Sequence, residues 1–88
     1  MYEQLLAIVW PPVFVIEYTC GGRERLLRGG GVSITPPADD PEGVGGLSAD
    51  LPQKHPHNRP IGRYVRFSEL RAVLSLDGRR LWPDAEPL

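Results

Sequence analysis

Glycine and proline interrupt this chain so often that no long helix has room to form. There are ten of each among 88 residues, about twice the roughly 12% that average usage supplies. Proline has no N–H to donate and clashes with the preceding helical turn. Glycine brings its greatest advantage where the backbone must turn. Short strands joined by loops are the architecture such a chain can build. Its length suits one hydrophobic core, so residues 1–88 read as a single domain.

The clearest strand is residues 13–20, Val-Phe-Val-Ile-Glu-Tyr-Thr-Cys, which are mostly β-branched or aromatic. Phe14, Ile16, Tyr18 and Cys20 share one face. Gly21-Gly22 follows and supplies the positive φ angles of a tight hairpin turn. Residues 23–28 would return, which sets Tyr18 opposite Arg25, Thr19 opposite Glu24 and Ile16 opposite Leu27. Asp77-Gly78 marks a second hairpin, with Val73 facing Trp82 and Leu74 facing Leu81. Residues 68–76 also admit a helix capped by Ser68. A compromise places a short turn at Ser68–Arg71 before the hairpin.

Shorter strands are expected at Val32–Thr35 and Arg63–Phe67. Residues 4–10 are almost continuously apolar and fit two patterns. Tyr2, Leu5, Leu6 and Val9 have helical spacing, whereas Ile8, Val9 and Trp10 favour a strand. The strand is the preferred reading, and Pro11-Pro12 ends either element. Residues 36–60, with six prolines and three glycines, read as one irregular arm. The expected fold is mainly β: two hairpins in a partial barrel or sandwich, the arm at 36–60, and room for one short helix. Val13–Ile16, Leu27, Val65, Phe67, Leu74 and Leu81 are expected to share the core.

Net charge is −1, which disfavours generic attraction to nucleic acid or an acidic membrane. The charge is nevertheless segregated. Asp39, Asp40, Glu42 and Asp50 occupy 38–53 without a cation. Lys54, Arg59, Arg63, Arg66, Arg71, Arg79 and Arg80 dominate 54–80 against Glu69 and Asp77. The acidic loop either lies over the basic segment or leaves it open.

No catalytic constellation is legible. His55-Pro56-His57 is the one metal-like pair, lacks a cysteine pair beside it, and reads as loop histidines. Cys20 has no histidine to activate it and reads as a half-buried strand residue. Asp39, Asp40 and Glu42 lack the alternation of a calcium loop. Gly29-Gly30-Gly31 lacks the Lys-Ser/Thr of a phosphate loop. The single cysteine permits no intrachain disulfide, and the Met1-Tyr2-Glu3 start has no basic leader region. A cytoplasmic protein is therefore expected, in a host cytoplasm or a virion if phage-encoded.

Neither an enzyme nor a cofactor is expected. A non-enzymatic protein–protein interaction module is expected instead, such as a phage or mobile-element structural subunit or an inhibitor. Its partner-binding residues would be Arg59, Arg63, Tyr64, Arg66, Arg79, Arg80 and Trp82, because arginine and aromatic side chains dominate interface energetics. The same types contact nucleic-acid backbone and bases. The alternative is thus a small β-barrel that binds nucleic acid through 59–80.

Overall fold

The computed structural model describes residues 2–54 and 60–83. It is mainly β, a curled half-barrel of antiparallel strands with one short helix. The helix, α1, runs Tyr2–Leu6 and is followed by β1 at Val13–Tyr18, β2 at Arg23–Leu27 and β3 at Ser33–Thr35. A 3-10 turn at Pro37–Asp39 leads to β4 at Gly46–Lys54 and β5 at Pro60–Arg66. A second 3-10 turn at Phe67–Glu69 precedes β6 at Leu70–Ser75 and β7 at Arg80–Trp82. The strand order is β3-β4-β2-β1-β6-β7, with β5 on β4.

Both hairpins exist, and both close by the same geometry. In the first, Tyr18 N–H donates to Gly22 O at 2.8 Å and Gly21 N–H to Tyr18 O at 2.9 Å. In the second, Ser75 N–H donates to Arg79 O at 2.8 Å and Gly78 N–H to Ser75 O at 3.0 Å. Each loop has three residues and ends on a glycine of positive φ, Gly21 at 95° and Gly78 at 89°. That is a turn followed by a left-handed residue, the common alternative to the two-residue loop.

The longer loop corrects the first register. Ile16 faces Glu24, and Phe14 faces Leu26, so Leu26 rather than Leu27 enters the core. An odd slip in register exchanges the two faces of a strand. It also moves Cys20 off the strand and into the exposed turn. In the second hairpin Val73 does face Trp82, but a bulge sets Leu74 opposite Arg80 instead of Leu81.

Two further expectations fail. Residues 2–6 are helical, because Glu3, Gln4, Leu5, Leu6 and Ala7 are all good helix formers and β-branching begins only at Ile8. The helix drives Leu5 into the core. The segment 36–60 is not one irregular arm, since β4 is a nine-residue strand within it. Leu47, Ala49 and Leu51 alternate with polar or small residues, the pattern of a strand with one buried face. β4 pairs with β3 through Ser33–Ser48 to Thr35–Gly46, and with β5 through Gly46–Arg66 to Asp50–Gly62. The pairing becomes irregular between Asp50 and Lys54, around Pro52, which has no N–H for the ladder.

The core forms on the concave face. Phe14 and Ile16 of β1 meet Leu26, Leu47, Val65, Leu70 and Val73, with Leu5, Phe67 and Trp82 closing around them. Val13, Val15, Leu27, Leu74 and Leu81 are only partly buried, on or near strands whose inner positions go to their neighbours. The Trp10 ring packs on Phe14 at 4.7 Å between centroids. The helical turn at 67–69, followed directly by β6, matches the compromise reading of 68–76.

Candidate functional site

The expected binding residues do not form one surface, because strand alternation separates them. Arg63 and Tyr64 are neighbours in β5 and so point to opposite faces. Arg63 sits opposite Ala49 on the inner side, at the rim of the half-barrel. Its guanidinium forks onto Glu24 of β2, with Nε to Oε1 at 2.9 Å and Nη2 to Oε2 at 3.1 Å. Tyr18 Oη donates to the same Oε1 at 2.7 Å. Burial and that bond to an anionic acceptor push the Tyr18 phenol up to about 12. Tyr18 therefore stays protonated near neutral pH and donates to Glu24, which also takes both prongs of Arg63.

Tyr64 and Arg66 occupy the convex face. The Tyr64 ring lies over Gly46, where a methyl group would meet Cζ at 2.8 Å. Arg66 Nη2 donates to Glu42 at 2.8 Å. The acidic segment therefore neutralises part of the basic one, through Glu42. Glu17 takes a further share, facing Arg23 at 2.8 Å and Arg71 at 3.4 Å.

Asp40 has a structural task. Its carboxylate accepts the backbone N–H groups of Gly45 at 2.8 Å and of Glu42 and Val44 at 3.2 Å. These bonds hold it below the usual carboxylate range and order the turn that delivers β4.

Trp82 is a correction. It is 8% exposed and belongs to the core. Its indole Nε1–H donates to Gln4 Oε1 at 2.8 Å and ties α1 to β7. Arg79 and Arg80 stay exposed on the second hairpin and make no ion pair among the described residues. Arg59, with His55 and His57, lies outside the described residues. Among the described residues no three His, Cys, Asp or Glu side chains gather as a metal site would need.

One concave feature joins α1, its connector and β7. Gln4, Ala7, Ile8, Val9, Arg79 and Leu81 line an open cleft of about 390 Å³. Val9 beside it is 90% exposed, and Leu6 and Leu76 are more than half exposed. Of the six expected residues that lie among the described ones, only Arg79 lines this cleft. The signal for the rest lay in the helical spacing of Tyr2, Leu5, Leu6 and Val9. A five-residue helix can turn only part of that set inward, which leaves Leu6 and Val9 in water.

No helix among the described residues is long and apolar enough to cross a membrane. No family model matches the chain, and no curated protein or solved structure matches it.

Proposed function

We propose that this chain is a non-enzymatic protein–protein interaction module that binds its partner at the cleft between α1 and β7. The observation that carries the reading is Val9, a branched apolar side chain left 90% exposed at the wall of a concave site. Apolar side chains grouped in one place on a small surface mark interaction sites more than they mark chance exposure. An arginine at the edge of such a patch is a frequent anchor. The basic segment supports nucleic acid less well, because Arg63, Arg66 and Arg71 each have a glutamate within ion-pair distance. Phosphate would have to displace those carboxylates.

Site-specific photo-cross-linking tests the reading. A benzophenone amino acid is placed at Val9, and in a second sample at Ser33 on the exposed edge of β3. Both full-length chains are irradiated in extract from the native host. A protein adduct formed at position 9 and absent at position 33 is the expected result. Equal labelling at both positions, or labelling of nucleic acid alone, would overturn it.

A further inference from the structure

Donors outnumber acceptors among the side chains that line the cleft between α1 and β7. Arg79 carries five N–H donors and no acceptor. Gln4 carries two N–H donors and one amide oxygen, and that oxygen already accepts the Trp82 indole N–H, which leaves it one further lone pair. Among the described residues no carboxylate lines the cleft. The acid closest to Arg79 in sequence and in field is Asp77, whose own bonds run to Ser75 Oγ and the Arg79 backbone N–H. The remaining walls, Ala7, Ile8, Val9 and Leu81, are apolar.

We infer that the cleft receives a protein segment in which a carboxylate side chain stands beside a branched or aromatic apolar one. This rests on the interaction-module reading above and names the partner's chemistry. The carboxylate meets Arg79, which can hold both its oxygens in a planar fork. The neighbouring apolar side chain covers Val9 and Ile8 and removes them from water. A basic segment is rejected by Arg79, since like charges brought together without a counterion oppose docking. Nucleic acid offers the anion without the aliphatic anchor, and leaves Val9 exposed.

The test is a titration of the full-length, ¹⁵N-labelled chain followed by backbone amide shifts. The probes are a capped octapeptide alternating Asp with Leu, its counterpart with Lys for Asp, and an oligothymidylate. The acidic peptide is expected to shift Ala7, Ile8, Val9 and Leu81, and the other two are not. Arg79→Glu should weaken the acidic peptide about tenfold, as the loss of one charge-assisted contact does, and should admit the Lys peptide. Val9→Ser should weaken it severalfold with the fold intact, because Val9 is in water already. Equal shifts from the Asp and Lys peptides, or an Arg79→Glu chain that binds unchanged, would overturn the acidic assignment. Cross-linking at Val9 with no charge dependence would overturn only this inference and leave the interaction module standing. Shifts from oligothymidylate at Arg79 and Arg80 without the acidic peptide's pattern would count against both.

Discussion

Arg63 and Glu24 stand 39 residues apart in sequence and meet across the rim of the half-barrel in a two-pronged ion pair. The pair joins β5 to β2, strands that share no ladder, and Tyr18 completes it. The phenol's elevation gives the pair a measurable signature. Because the folded chain holds the Tyr18 proton up to about 12, against about 10 for a free phenol, the native state binds more protons through that window. Tyr18's contribution to stability is therefore fully present below about pH 10 and is lost as pH rises through about 12. Phenolate absorbance should show a component near pH 12 that Tyr18→Phe removes. Glu24→Gln should bring it part of the way back, leaving the portion due to burial. A Tyr18→Phe chain that keeps the component near pH 12 would contradict this account.

Gly46 should tolerate no side chain. A methyl group there would collide with the Val65 carbonyl oxygen and the Tyr64 ring, and the former is backbone that cannot step aside. Gly46→Ala should cost about 1–3 kcal/mol, the usual range for overpacking. Gly62, across the ladder on β5, has open space around it, so Gly62→Ala should shift stability by no more than about 0.5 kcal/mol. Urea midpoints of the two variants provide the comparison; equal losses would show that sterics at Gly46 are not the cause.

Phe14 and Trp82 should fail differently. Phe14 is fully buried at the centre of the sheet, so Phe14→Ala should cost about 3–5 kcal/mol. A domain whose total stability is about 5–15 kcal/mol would be close to unfolding. Trp82→Phe keeps most of the packing and deletes the bond to Gln4, worth about 0.5–1.5 kcal/mol. Its effect should concentrate at α1, read as faster amide exchange at residues 5–8. A uniform rise in exchange over the whole chain would show that Trp82 acts through the core alone.

Amides 46–50 should be slow to exchange in the isolated chain. Along that stretch β4 is bonded to β5 on one side, and on the other to β3 at 46–48 and to β2 at Asp50, and no partner is needed to order it. Asp40→Ala, which strips three N–H groups of their acceptor, should speed exchange at 42–45 and spare 47–49. Rapid exchange of 46–50 in the free protein would mean that this strand waits for a partner.

Local chemistry in the sequence was enough for the fold class, both hairpins and the strand character of β1, β3 and β5. Turn glycines, β-branched runs and period-two alternation act between neighbours in the chain. The binding surface was less legible. Arg79 lines the cleft and Arg80 is exposed beside it, whereas Trp82 is buried and Arg63, Arg66 and Tyr64 are divided between two faces of one strand. Composition cannot show such a division, because face depends on register.

Local residue chemistry makes this chain a small β domain that turns at Gly21 and Gly78. Tertiary pairing placed Leu26 rather than Leu27 in the core, since a loop one residue longer reverses every side chain beyond it. It also decided that the Gly- and Pro-rich stretch would hold a central strand. Leu47 and Ala49 have little β preference of their own. They become a strand because β3 and β5, distant in sequence, supply hydrogen bonds on both edges, and because Gly46 alone is small enough to lie beneath Tyr64 and against the Val65 carbonyl.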